Sequence, residues 1–249
     1  MSKIVSGLVV VAMVLLSCGV FVPLIGRHRA LADRAKCQEN LRRVAAGLMV
    51  LDAQAFPAAT VVVSGIPVER RLSWYALLLS PLNRKPVADQ IDWKTPWDEV
   101  PNAAIARTTI PLFMCPTARL TRDSSAAVTD YVAGGGIGLD APNLPADNSR
   151  AGAMRYDAPT PLTAFKDGMS NTLLLLETTD RTGPWMAGGP GTLRPLDRSQ
   201  TPYIGLDRPF GGLHNGGCNV AFADGSWRFL ADSIGPGVLE LLMAIADEP

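Results

Sequence analysis

The chain's 249 residues suffice for one large domain with a real core, and its 23 Lys and Arg balance its 23 Asp and Glu. Zero net charge excludes a global field that would recruit nucleic acid or an acidic substrate. Two histidines leave little material for a zinc site, and 23 Gly with 20 Pro argue against a helical bundle and for a loop-rich head.

The first fifty residues organise the rest. Ile4 to Ile25 carries no charged side chain, with Lys3 before it and Arg27, His28 and Arg29 after it. At ~1.5 Å per residue a helix over this run reaches roughly 33 Å, enough to cross a bilayer's hydrocarbon core. Residues 1–26 are therefore expected to form a retained transmembrane anchor. A cleaved signal peptide fits less well, because its apolar core is usually about 7–15 residues. Leu15-Leu16-Ser17-Cys18 resembles a loose lipobox, which keeps acylation of Cys18 open as another means of anchoring. Pro23 removes a backbone donor late in the run and predicts a bend. The basic residues after the run would, on charge alone, place the rest of the chain in the cytoplasm. Beyond the run, Cys37, Leu41, Val44, Leu48 and Leu51 recur at steps of four, three, four and three. That spacing puts one apolar stripe along a helix, with Arg34, Lys36, Gln38, Glu39, Arg42 and Arg43 mostly off it. The stripe predicts a spine, ending near Gln54, that packs against a head over 27–249.

Along the head, Val61 to Val63 predict a short strand closed by Ser64-Gly65. Leu72 to Leu79, with Trp74 and Tyr75, predict a short buried helix stopped by Pro81. Residues 83–109 read as irregular around Trp93 and Trp97, and Ile110 to Cys115 as a short strand or extended segment. The glycines of Tyr131 to Gly138 read as a flexible turn: no Lys-Ser/Thr follows and no helix opens, so a phosphate cradle is rejected. Asp167-Gly168 makes a turn before Thr172 to Leu176, a run expected to be a central strand buried on both faces. Residues 183–202 read as a second Gly/Pro loop around Trp185, and Val238 to Ile245 as a short amphipathic helix.

Cys218 to Leu230 gives the sharpest local signal. Asp224-Gly225 between two alternating runs predicts a two-residue hairpin turn, which pairs Phe222 with Trp227 and Val220 with Phe229. Those four side chains would then share one core-facing side. On this reading Asp224 is a turn residue without chemistry.

His214, nine residues, then Asp224-Gly225 resembles the signature of the bacterial prepilin-type, processing-associated H-X9-DG family, a pilin-like domain of unknown function (number 1559). Asp167-Gly168-Met169-Ser170-Asn171-Thr172 resembles its Asp-Gly-x-Ser-Asn-Thr block, and Phe113-Met114-Cys115-Pro116 its Cys-Pro segment. Pro23, Cys37, Asn40 and Leu41 keep its helix spacing. The resemblance implies an α+β, pilin-like fold: a long N-terminal transmembrane helix packed on an antiparallel β-sheet with long Gly/Pro-rich loops. It marks His214, Asp224, Gly225, Asp167, Gly168, Ser170, Asn171 and Thr172 as motif residues of unknown role. It also places the head outside the cytoplasm, where Cys37 and Cys115 are the pair to test for a disulfide. The leader Gly-Phe-Thr-Leu-x-Glu carried by full-length members does not precede the apolar run, so an anchored monomer is expected rather than a pilus subunit.

Enzymatic readings are weak. A straight strand would hold His214 and Asp224 roughly 33 Å apart at ~3.3 Å per residue, which argues against a dyad or a shared metal. His214 is instead expected to bond locally, to Glu177 or another strand-end carboxylate. Ser170 lacks the Gly-x-Ser-x-Gly elbow of a hydrolase and reads as a turn or cap residue. The expectation is a single-span, non-catalytic envelope protein with no metal, cofactor or nucleic acid, acting structurally or through protein partners in an envelope or pilus-like assembly. The alternative is a surface module binding a glycan or small ligand through the loops around Trp93, Trp97 and Trp185.

Overall fold

The computed structural model describes residues 2–119 and 127–246; of residues 2–27, only Gly7, Met13 and Gly26 are described beyond their backbone. The apolar run, with its Cys18 and Pro23, thus lies outside the described side chains. Among the described residues no helix is long and apolar enough to cross a membrane.

The spine is one helix, α1 (Ser2–Met49). Residues 28–32 are exposed, whereas Cys37, Leu41, Val44, Ala45 and Leu48 are fully buried along the stripe that their spacing sets. Ala55–Phe56 (β1) pairs antiparallel with Thr160–Pro161. No strand forms over 61–63: Val61 donates one backbone bond to Leu72, and Thr60 makes an isolated bridge to Ser73. The short helix α2 (Trp74–Leu78) starts where the Ser73 side chain accepts the Tyr75 N–H, and its Trp74, Tyr75 and Leu78 are buried. Short helices α3 (Lys85–Ala88), α4 (Asn102–Ile105) and α5 (Pro116–Arg119) follow. The segment expected to be extended at 110–115 contains a 3-10 turn over Pro111–Phe113, because proline opens such a turn readily and gives a strand no N–H.

Five strands make the main sheet. They are β2 (Tyr131–Ile137), β4 (Leu173–Glu177), β5 (Leu193–Leu196), β6 (Gly217–Phe222) and β7 (Trp227–Ala231), in the order β5-β2-β4-β6-β7, with β3 the Thr160–Pro161 strand of the small sheet. β4 is central and buried throughout. The glycine run expected to be a flexible turn is instead β2, also buried throughout. Its glycines answer to packing: a Cβ at Gly136, whose φ is +91°, would drive into the backbone carbonyl of Arg150. β5 forms inside the expected second loop and runs parallel to β2, so the sheet is mixed rather than antiparallel.

The two faces carry different partners. Tyr131, Ala133, Leu175, Ala221 and Ala223 pack with the α1 stripe in one cluster. Val132, Leu173, Leu176, Val220 and Phe222 pack with Leu239 and Met243 of α6 (Pro236–Met243) in the other. A register shift between Leu173 and Leu175 puts Leu173 and Leu176 on the same side.

The hairpin differs from expectation by one residue. Phe222 and Gly225 close a turn, Phe222 N–H donates to the Ser226 carbonyl, and Gly225 sits at φ +82°. This is a three-residue loop with a left-handed glycine, not a two-residue turn. Ala221 therefore pairs with Trp227 and Val220 with Arg228. Because a one-residue slip moves a side chain to the opposite face, Trp227 leaves the core side of Phe222 and stands 46% exposed, while Phe222 is fully buried.

Candidate functional site

The motif residues collect at the two ends of β4. At its start, the Asn171 amide donates to the Asp167 carbonyl at 2.9 Å and the Thr172 hydroxyl to the Gly168 carbonyl at 3.2 Å. Gly168 has φ +86°, and Ser170 is exposed. The hairpin turn bonds to this block directly: Ala223 N–H donates to Thr172 O and Asp224 N–H to Met169 O. The Asp224 carboxylate accepts the Ser226 N–H at 2.8 Å. Asp167-Gly168-x-Ser-Asn-Thr and Asp224-Gly225 thus form one backbone knot at the mouth of the central strand.

His214 lies at the other end. Its Nε2 is 3.3 Å from Glu177 Oε1 at the end of β4, and 3.6 Å from Cys115 Sγ. Roughly 13–17 Å of strand, at ~3.3 Å per residue, separates this end from the Asp224 turn, so the two motif residues do not work on one atom.

Several elements converge on His214. Cys37 comes from the buried stripe of α1, Cys115 from the residue before α5, and Glu177 from the α1-facing side of β4. Cys37 and Cys115 are joined in a disulfide with Cα atoms 5.4 Å apart. Glu177 is fully buried, and it is held by Asn219, whose N–H donates to Oε2 at 2.7 Å and whose amide donates to Oε1 at 2.9 Å. Such bonds let a carboxylate persist in an apolar interior. The Tyr131 hydroxyl donates to Cys37 Sγ at 3.4 Å, and the Asn40 amide bonds Met114 O and the Tyr131 hydroxyl oxygen. Gln38 donates to Asn219 Oδ1 at 3.1 Å, and Cys115 N–H to Asp130 Oδ2 at 2.8 Å. Burial, then the nearby Glu177 charge, push the Tyr131 hydroxyl well above its usual range, so it stays a donor. The same two causes push up the thiol of Cys218, the buried free cysteine among the described residues.

The Cys37 and Cys115 sulfurs, one Glu177 oxygen and one His214 nitrogen all lie within 4.8 Å of one another, a set of donor types that suits a metal ion only when the two sulfurs are not bonded to each other. A surface groove of about 670 Å³ is lined by Arg29, Asp33, Arg34, Thr117, His214 and Asn215. Sequence reasoning had no place for Asn219 or Tyr131, although an Asn within an otherwise apolar strand is a signal of a buried polar partner.

The tryptophans do not form a shared surface. Trp185 is fully buried and donates its indole N–H to Thr108 O, while Trp93 is 38% exposed. Trp97 donates to Glu69 O and lines a separate groove of about 410 Å³.

Neither a curated protein nor a solved structure matches the chain. The family model SBP_bac_10, described as "Protein of unknown function (DUF1559)", matches residues 27–237, from the exposed turns of α1 to the start of α6. With most of its length matched, and His214, the Asp-Gly turn and the Asp167–Thr172 block all inside the match, the chain belongs to the DUF1559 family.

Proposed function

We propose that the chain is a membrane-anchored, pilin-like envelope protein with a structural or interaction role, its head outside the cytoplasm and its residues 1–26 in the bilayer. The observation that carries this reading is the unbroken helix α1: its last turns are buried in the head, and residues 28–32 emerge exposed toward the apolar run. A continuous helix transmits position, as a rod does and a flexible linker does not. The Cys37–Cys115 disulfide supports an oxidising compartment. A non-catalytic role is supported by the motif residues, which mainly tie the ends of β4 to neighbouring loops. Partners are other envelope proteins. The groove beside Trp97 supports a second reading, a ligand-binding module held at the membrane.

Fractionation of cells expressing the full chain or residues 27–249 tests the proposal. The full chain is expected in the membrane pellet and to need detergent for release, with the shortened chain in the soluble fraction. A full chain that is soluble without detergent overturns it.

A further inference from the structure

We propose that the Cys37–Cys115 junction has a second state: with its disulfide reduced, Cys37 Sγ, Cys115 Sγ, His214 Nε2 and a Glu177 oxygen bind one divalent cation of the zinc class. The four ligand atoms already lie within 4.8 Å of one another. In a tetrahedral site with bonds of about 2.0–2.3 Å, ligand atoms stand roughly 3.3–3.8 Å apart. The His214–Glu177 and His214–Cys115 separations of 3.3 and 3.6 Å already match that edge. The widest separation has to shorten by about 1 Å, and the two sulfurs, once their bond is broken, have to move from a bonded ~2.05 Å to roughly 3.8 Å apart, both by side-chain rotation.

Three further features distinguish this group from a chance cluster. The donor set of two thiolates, an imidazole and a carboxylate suits a borderline-soft dication, and its charge of three minus is reduced to one by the ion. Neighbours already orient two of the four ligands, Tyr131 donating to Cys37 Sγ and Asn219 twice to the Glu177 carboxylate, and the Cys115 backbone is fixed by its N–H bond to Asp130. The groove lined by Arg29, Thr117 and His214 gives the ion a route from solvent.

The chemistry balances simply. A dithiol reductant gives two electrons and two protons to the S–S bond, yielding two thiols and closing to its own disulfide. As the metal binds, the thiols release two protons to solvent and both sulfurs become ligands. The disulfide and the metal are therefore mutually exclusive: the disulfide ties α1 to the segment before α5, and the metal ties the same two segments to the end of β4 and the His214 loop.

The test uses the full chain in detergent, reduced without oxygen by a phosphine that is then removed, and titrated with Co²⁺ alone. One Co²⁺ per chain is expected, with sulfur-to-cobalt charge transfer and the strong visible bands of a tetrahedral ion, both lost on adding Zn²⁺. A Cys18→Ser/Cys218→Ala variant, retaining only the site thiols, is expected to give the same spectrum. His214→Ala and Glu177→Gln each are expected to weaken binding at least tenfold, and the oxidised chain to bind none. If reduction loosens the head, added Co²⁺ is expected to restore its circular dichroism. A reduced chain that shows no tetrahedral spectrum, or a His214→Ala variant that binds like the wild type, overturns the proposal and leaves a purely structural disulfide.

Discussion

His214 from the glycine-rich loop stands 3.3 Å from the buried Glu177 at the end of the central strand. Removing the imidazole leaves that carboxylate with Asn219 alone, in an interior where a lost partner carries its desolvation cost. His214→Ala is expected to lower unfolding free energy by about 1–3 kcal/mol in denaturant titrations of the head. Asp224→Ala, which loses only a turn bond to Ser226 N–H, is expected to cost less than about 1 kcal/mol.

The disulfide closes a sequence separation of 78 residues. By chain entropy a loop of that size contributes about 4.5 kcal/mol, through the unfolded state. A Cys37→Ser/Cys115→Ser variant is expected to lower the denaturation midpoint accordingly while keeping the native circular dichroism spectrum. Alkylation of the unreduced chain unfolded in denaturant, followed by peptide mapping, is expected to modify Cys218 and leave Cys37 and Cys115 unmodified.

The register of the hairpin makes its two aromatics unequal. Phe222 is fully buried beside Val220 and Leu239, whereas Trp227 is 46% exposed. Phe222→Ala is expected to cost about 3–5 kcal/mol, and Trp227→Ser less than about 1 kcal/mol. Equal losses would restore the two-residue turn and put both rings in the core.

That slip shows where sequence stops being informative. Asp224-Gly225 marks the turn, but whether Ala223 joins the loop depends on backbone bonds from Ala223 and Asp224 to Thr172 and Met169, which lie far away in the chain. The α1 stripe and β4 were readable because each buries a periodic or continuous apolar run, a local property. β2 was not readable. Gly134-Gly135-Gly136 looks like a turn until Arg150, Met243 and the Leu173 carbonyl crowd it, and only the fold supplies them. The candidate site was half visible: His214, Cys37 and Cys115 stood out through the family resemblance, while Asn219 and Tyr131 matter only because β2, β4 and β6 lie side by side.

All four tyrosines have hydroxyls pushed above the usual value. Burial dominates for Tyr75, Tyr131, Tyr156, which reaches about 12, and Tyr203, where the bond to Glu240 adds to it. Each neutral phenol is thus favoured by the fold. This contribution is full below the unfolded value of about 10 and is lost as pH rises through the folded values. Absorbance at the tyrosinate band is expected to stay flat through pH 10 and to rise only with unfolding, as stability falls. Tyrosinate appearing near pH 10 in a still-folded chain would show that these rings are open to water.

The central claim, a head held outside the cytoplasm by α1, is tested most directly by adding protease to intact spheroplasts expressing the full chain. The account predicts that the head is digested while a cytoplasmic marker survives. A head protected until the cells are lysed would contradict it.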